Sequence, residues 1–406
     1  MIHGRGEQGS LRVLLAGNAF SLPHGHGSTS RVKCLAYGLS AAGVDVSIAV
    51  TRASERAPDA PNARAAGVWR GVPYRYVNGS QLRRSTFPGR RLADLRSFVA
   101  LTGILSRPLE RFDAVMLFTT ESVVLPVLAA LSPALVLDDA CELPFVYAEH
   151  HRLLARAYHR TYERTIYRLY DGMVTISPYL TDHFSTRVRD DARLLRIPAL
   201  ADTQLIAETP AIPSTRPLVA YAGNLDHPGE VPDLLRAFAG VGAERPDVEL
   251  VVIGGSYQAG RLDECRASVR RLGLEGRVHF TGPVPHSTMV GYLKGASVLA
   301  LPRRQALFST AGFPTKLVEY LACERPVVVT RTGSIGDHLR HGENAYVVEP
   351  GRPPLFAKSL LYALDHPAES DRVARAGAAV ARRSFDCVRH GRRLALFISH
   401  LKALKG

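Results

Sequence analysis

The chain has 406 residues, 46% hydrophobic and 22% charged, which fits about two globular domains and excludes a disordered tail, a collagen-like fibre and a disulfide miniprotein. Its 51 Lys and Arg outnumber 37 Asp and Glu, a formal net charge of +14 shared by both halves: 25 against 17 in residues 1–200, and 26 against 20 beyond. The five cysteines (Cys34, Cys141, Cys265, Cys323, Cys387) are far apart and form no C-x-x-C pair, which speaks against a disulfide framework or structural zinc and for a reducing compartment.

Residues 1–12 are polar and charged, so no signal peptide is expected and the expected location is the cytoplasm. Only six of the basic residues are Lys against 45 Arg, a bias that suggests a GC-rich bacterial genome. Residues 11–16 (LRVLLA) read as a fully buried strand. A Gly/Pro/His loop over 17–30 follows, then a helix over 31–42 closed by Gly43, then a buried strand at 46–50. This is the β-loop-α-β opening of a parallel sheet. From Arg64 to Arg96 eight arginines meet one acid, Asp94. Such a stretch suits ligand phosphates, nucleic acid or an anionic membrane, or is a solvated basic surface.

Further strands are expected at 114–118, 134–137 and 173–176, and a helix at 153–169. The uncharged apolar stretch 122–137 has two prolines and is too short to span a bilayer. Asp138, Asp139 and Glu142 follow the strand at 134–137, either at a ligand-facing strand end or in a solvated acidic turn. His150 and His151 lack H-E-x-x-H spacing, so no zinc site is read there.

Residues 202–216, rich in Pro, Thr and Ala, read as a linker. The rhythm then restarts: strands at 217–222, 248–253, 278–281, 297–301 and 326–330 alternate with helices at 231–241, 261–272, 286–294 and 314–323. A closing helix over 386–406 is expected to cross back to the first domain. The expected fold is α/β: two Rossmann-like parallel-sheet domains, 1–203 and 204–385, facing an interdomain cleft at their strand ends.

Two loops carry the functional signal. His24-Gly25-His26-Gly27-Ser28 precedes the first helix, where glycines let backbone amides approach a phosphate. Gly25 lies nine residues past Ala16 and Ser30 holds the third glycine position, so a G-x-G-x-x-G dinucleotide turn is disfavoured; no P-loop motif occurs either. The second segment is Ala311-Gly312-Phe313-Pro314-Thr315-Lys316-Leu317-Val318-Glu319, continuing to Pro326. Pro314 suits a first helical position. At 100° per residue Lys316, Glu319 and Cys323 lie opposite the apolar face of Leu317, Val318, Tyr320 and Leu321. A cation in a helix's first turn is disfavoured by about 0.3–1 kcal/mol unless an anion binds there. The alternative is a plain Lys316–Glu319 pair on a wet surface.

This segment resembles the donor-site signature of retaining, family-4 type glycosyltransferases of the GT-B fold. The resemblance extends to Tyr221-Ala222-Gly223-Asn224-Leu225, Val252-Ile253-Gly254-Gly255, residues 278–284, residues 342–350 and, less strongly, residues 171–177 and Gly27 in the first half. It implies transfer of a sugar from a nucleotide-diphosphate sugar to an acceptor with retention of configuration, with no metal or other cofactor. Gly25, His26, Gly27, Ser28, Gly223, Asn224, Gly312, Phe313, Pro314, Thr315 and Lys316 would surround the diphosphate. Glu319 would bind the ribose, Gly255, Gly282 and Val284 would border the base, and His24, Asp139 and Glu142 would lie on the acceptor side. The expected partners are the nucleotide-sugar donor and a small-molecule, glycan or lipid-linked acceptor, with peripheral contact to an anionic membrane left open and no nucleic acid. Three positions depart from the family pattern: Ala311 replaces its first Glu, and Asn224 and Gly229 replace its diphosphate-gripping Arg and Lys. Lys316, the helix start, and Arg303 or Arg304 are the candidate compensating groups. The departures also keep two other readings open: a non-catalytic nucleotide-sugar-binding protein, and a GT-B nucleotide-sugar epimerase.

Overall fold

The computed structural model describes residues 10–25, 27–53, 55, 62, 64–106, 111–118, 126–127, 130–143, 164–188, 190, 193–227 and 229–405. The chain divides into two compact units, Met1–Leu200 with Cys387–Gly406, and Ala201–Asp386.

The first unit is built on strands β1 (Arg12–Gly17), β2 (Asp45–Val50), β3 (Ala66–Trp69), β4 (Val72–Tyr76), β5 (Ala114–Phe118), β6 (Leu135–Ala140), β7 (Gly172–Thr175) and β8 (Leu194–Arg196). Their order is β3-β4-β2-β1-β5-β6-β7-β8, and every pairing but the β3–β4 hairpin is parallel. β5 is buried along its whole length and β1 along all but its first residue, which is why their sequences show no polar alternation. The hairpin was not foreseen from sequence. Its two-residue turn, Arg70-Gly71, has φ of 46° and 84°, the left-handed pair that matches strand twist. The Arg70 guanidinium lies 3.8 Å from the Tyr37 ring centroid, an attraction that helps hold a non-glycine residue there.

Helix α1 (Gly27–Ala41) begins four residues earlier than the sequence suggested, so Gly27 and Ser28 sit in its first turn. Gly43, at φ 84°, ends it as expected. Helix α2 (Phe87–Leu105), also unforeseen, is capped by Thr86, whose hydroxyl accepts from the Gly89 amide at 3.3 Å. Helix α3 (Pro178–Ser185) follows β7, capped by Ser177. The helix expected at 153–169 falls largely outside the described residues; its end, Tyr167–Leu169, is a 3-10 turn.

The second unit holds a six-stranded parallel sheet of β9 (Leu218–Ala222), β10 (Glu249–Ile253), β11 (Val278–Gly282), β12 (Val298–Leu301), β13 (Val327–Thr330) and β14 (Tyr346–Val348), in the order β11-β10-β9-β12-β13-β14. The chain winds outward from β9 in both directions, the doubly wound order whose switch point lies where β9 meets β12. Its helices are α4 (Thr203–Glu208), α5 (Glu230–Glu244), α6 (Arg261–Arg271), α7 (His286–Gly295), α8 (Leu307–Ala311), α9 (Thr315–Ala322), α10 (Ile335–His338), α11 (Pro353–Asp365) and α12 (Pro367–Ser384). The linker expected over 202–216 is therefore corrected: it carries α4, whose N-cap Asp202 accepts from the Leu205 amide at 3.0 Å.

Helix α13 (Cys387–Lys405) returns to the first unit and packs along α1. Any side chain on Gly391 would strike the Gly38 backbone, so the two glycines let the helix axes close in. Leu394, Ile398 and Leu401 of α13 join Leu35 and Leu39 of α1 in one buried cluster.

Candidate functional site

In the second unit the strand ends are stitched by backbone. The Gly223 amide donates to the Ile253 carbonyl at 2.9 Å, Gly254 to Gly282 at 3.1 Å and Leu225 to Gly255 at 2.9 Å. A Cβ on Gly254 (φ 130°) would strike the Gly223 carbonyl, so this close approach demands glycine. Gly223, Gly255 and Gly282 thus meet at the carboxyl ends of β9, β10 and β11. Val284, half-buried, follows them. The Asn224 side chain caps its own turn, accepting from the Asp226 amide at 3.0 Å. Pro228 lies outside the described residues.

Helix α9 is tied to the same edge. The Tyr320 hydroxyl meets the Ala222 amide at 2.5 Å and the Ala222 carbonyl at 3.2 Å, which places α9 across the end of β9. Pro314 is the N-cap, one residue outside the helix it was expected to open, and no side chain caps the turn. Phe313 is buried edge-on against His338 (5.6 Å) and tilted on Phe385 (5.3 Å), so its ring belongs to the core and only its backbone is available to a ligand. Ala311, the departure from the family's first Glu, is buried at the end of α8.

The face carrying Lys316, Glu319 and Cys323 is not a wet surface, because Glu319 and Cys323 are both buried. Glu319 receives the Lys316 ammonium on Oε2 at 3.0 Å and meets His286 Nε2 at Oε1, also 3.0 Å. Burial alone would raise the Glu319 pKa, but Lys316 and His286 outweigh it and hold it at about 2. Lys316 also reaches Met289 Sδ at 3.3 Å. His286 was not singled out from sequence. The available signal was its place as first residue of the helix after the Gly282–Val284 segment.

The arginines after β12 stand where the departures left room. Arg304 forms a two-pronged pair with Asp233 (2.7 and 3.1 Å), and its guanidinium covers Gly229, whose Cβ would collide with it. Arg303 is buried beside Glu230 (3.6 Å) and over the Phe308 ring (5.5 Å). Glu230 also accepts from the Tyr221 hydroxyl at 2.9 Å. Two guanidinium groups therefore lie at the first turn of α5, beside the sheet's switch point.

In the first unit, Gly17 turns the chain off β1 so closely that any side chain would meet the Phe118 carbonyl. The loop that follows is pinned rather than loose. The His24 amide donates to Asn62 Oδ1 at 2.7 Å, Ser21 Oγ to the His24 carbonyl at 2.8 Å, and Thr29 Oγ1 to the Ser21 carbonyl at 3.0 Å. A side chain on Gly25 would overlap Thr29. His24 and Gly25 are exposed, and His26 lies outside the described residues.

Asp138 and Asp139 belong to β6 itself, which corrects the solvated-turn reading. The Asp139 side chain is 1% exposed and takes a two-pronged bond from Arg31 of α1 (2.7 and 2.8 Å), while Arg31 also donates to the carbonyls of Pro198 (2.7 Å) and Ile197 (3.1 Å). The pair brings the start of α1 and the end of β6 together, and it commits both oxygens of an acid expected on the acceptor side. Burial works against the Arg31 charge, but Asp139 raises its pKa above the ordinary value all the same. Glu142, beyond the strand, is exposed.

Asp138 is buried beside that negative charge, and burial first, then Asp139, push its pKa from 3.8 up to about 8 against a bond from Tyr170. A carboxyl raised in the folded state contributes stability in full below the unfolded pKa of about 4 and loses it as pH climbs through about 8. The urea midpoint of the protein is therefore expected to fall across that interval, and Asp138→Asn to flatten the fall. An unchanged slope in the variant would show that Asp138 is not the group responsible.

Among the described residues, no group of three or more His, Cys, Asp or Glu is placed to hold a metal ion, and no helix is long and apolar enough to cross a membrane. The second unit is thus a doubly wound α/β sheet with glycines at the carboxyl ends of β9, β10 and β11 and a buried carboxylate on α9, and sheets of this class bind their ligands at those ends.

Comparison with known proteins narrows the class. The pattern described as "Glycosyl transferases group 1" matches residues 202–380, and "Glycosyl transferase 4-like domain" matches residues 26–199. The chain belongs to the glycosyltransferases of GT-B fold. Sucrose-phosphate synthase from Thermosynechococcus elongatus has a similar structure (TM-score 0.75, 17% identity, 97% of this chain and 100% of that one). So does Anabaena HepE in complex with UDP-glucose (TM-score 0.71, 16% identity, 96% and 100%). D-inositol 3-phosphate glycosyltransferase of Corynebacterium jeikeium is 29% identical over 153 residues, 37% of this chain and 35% of its own. The match thus spans about a third of the length of that curated relative.

Proposed function

We propose that the protein transfers a sugar from a nucleotide-diphosphate sugar to an acceptor with retention of anomeric configuration. The observation that carries this is the state of Glu319. A buried carboxylate held ionised, with one hydrogen-bond partner on each oxygen, keeps one acceptor site per oxygen, because a carboxylate offers about four in all. Two acceptor sites side by side suit the two adjacent hydroxyls of a ribose. The side-chain-free edge formed by Gly223, Gly255 and Gly282 leaves backbone room for the rest of the nucleotide.

The chemical burden is the charge that builds on the departing diphosphate. The Gly312–Thr315 backbone at the uncapped start of α9, with Lys316, would meet it from one side of the switch point, and Arg303 and Arg304 from the other. In the first unit, His24, Gly25, Gly27, Ser28 and Glu142 are the candidates for contact with phosphate or acceptor. The leaving phosphate itself would take the acceptor proton, so no second carboxylate is needed. The UDP-glucose held by HepE and the glycosyl transfer carried out by the D-inositol 3-phosphate glycosyltransferases favour this reading over a non-catalytic copy.

The test is calorimetry of the full chain against UDP, GDP and ADP, followed by incubation of the matching sugar nucleotide with candidate acceptors. One nucleoside diphosphate should bind, and the anomeric proton coupling of the product should show the donor's configuration. Binding to none of the three would overturn the reading, and an inverted product would overturn retention.

A further inference from the structure

Helix α2 has two apolar faces. Ser97, Leu101 and Ile104 are buried against the first unit. Leu92, Leu95 and Val99, at i, i+3 and i+7, fall on the opposite side and are 50%, 57% and 62% exposed; Phe87, where the helix begins, is 61% exposed. A helix that packs by one stripe ordinarily shows polar residues on the other. This one shows leucine, valine and phenylalanine to the outside.

Arginines frame the stripe. Arg83 and Arg84 precede the helix, Arg91 and Arg96 flank the stripe, Arg90 in the first turn donates to the Ser85 carbonyl at 2.8 Å, and Asp94 is the only acid in α2, lying 3.8 Å from Arg91. The Arg90 and Arg91 guanidinium groups lie 6.0 and 5.1 Å from the Phe87 ring centroid, so charge and apolar surface are contiguous. The hairpin segment before it adds the exposed Arg64, Arg75 and Val68.

We infer that α2 docks the protein on an anionic lipid bilayer, lying in the headgroup plane with Leu92, Leu95 and Val99 dipped among the acyl chains and the arginines on lipid phosphates. The partner follows from the chemistry of the surface. A nucleic acid would use the arginines but leave three exposed aliphatic side chains in water. A bilayer with negative headgroups uses both. No helix among the described residues is both long and apolar enough to cross, and the proposed attachment through α2 is peripheral.

The experiment is co-sedimentation of the full chain with vesicles of phosphatidylglycerol and phosphatidylcholine in equal parts, and with phosphatidylcholine alone, at low and high salt. Wild type should bind the first far better than the second and weaken with salt. Joint Leu92→Glu, Leu95→Glu and Val99→Glu substitution should weaken binding by about tenfold or more. Joint Arg90→Gln, Arg91→Gln and Arg96→Gln should weaken it by about a hundredfold, each arginine near an anionic surface being worth about fivefold, and should blunt the salt dependence. Both variants should melt with wild type, since none of the six side chains is buried. Equal binding to the two vesicle types, undiminished binding by the glutamate variant, or tighter binding to an RNA duplex that ignores the glutamates would each overturn the inference.

Discussion

Glu319→Ala is expected to weaken the affinity for the nucleoside diphosphate by about 10²- to 10⁴-fold, the loss of two hydrogen bonds to a charged acceptor at about 1.5–3 kcal/mol each. In wild type, replacing the nucleotide by its 2′-deoxy form removes one of the two bonds and should cost about half that free energy. In the alanine variant ribose and deoxyribose forms should bind alike, because the group that distinguishes them is gone. Glu319→Gln keeps the volume and loses the charge, so it should fall between the two. Folding should survive, since Lys316 and His286 retain 29% and 37% side-chain exposure and can turn to water. Calorimetry of the four protein–nucleotide pairs measures the coupling. If the alanine variant still discriminates the sugars as well as wild type does, Glu319 does not touch the ribose.

The second large effect concerns the first unit. Asp139→Ala strands the Arg31 guanidinium in the interior, and breaking a buried pair from one side costs about 3–5 kcal/mol. Joint Arg31→Met and Asp139→Leu substitution removes both charges and should recover most of that stability. Urea unfolding of the three proteins decides the matter. An Asp139→Ala protein as stable as wild type would mean that Arg31 finds water or another partner, and that the pair does not hold α1 to β6.

Legibility in the sequence followed burial. Strands β1, β5, β9, β12 and β13 are short, continuous apolar runs with no solvent face, so their ends were set by composition and fell within a residue or two of the structure. The α2 helix escaped because it is apolar on two sides and its stripe cancels out of any periodicity argument. Helices α11 and α12 also escaped, although each opens on a proline, Pro353 and Pro367, suited to a first turn. The β3–β4 hairpin needs Arg70 in a left-handed conformation, which no propensity favours. Asp138 and Asp139 looked like a turn because two adjacent acids rarely end a buried strand. What makes it work is Arg31, 108 positions away from Asp139, a pairing that spacing within the strand does not reveal. The Lys316–Glu319 contact was legible from helical spacing. The burial of Glu319 and its bond to His286 were not, because they depend on side chains of α7 that meet α9 only in the folded chain.

The Gly38–Gly391 contact joins a helix near the start of the sequence to one near its end, with the whole second unit synthesised in between. A ribosome therefore completes the second sheet while the first sheet still lacks the leucines and isoleucine of residues 394–401 that line its core. The amino-terminal half emerges first yet finishes last, and in the interval it presents the uncovered flank of α1, with Leu35 and Leu39, to whatever is nearby.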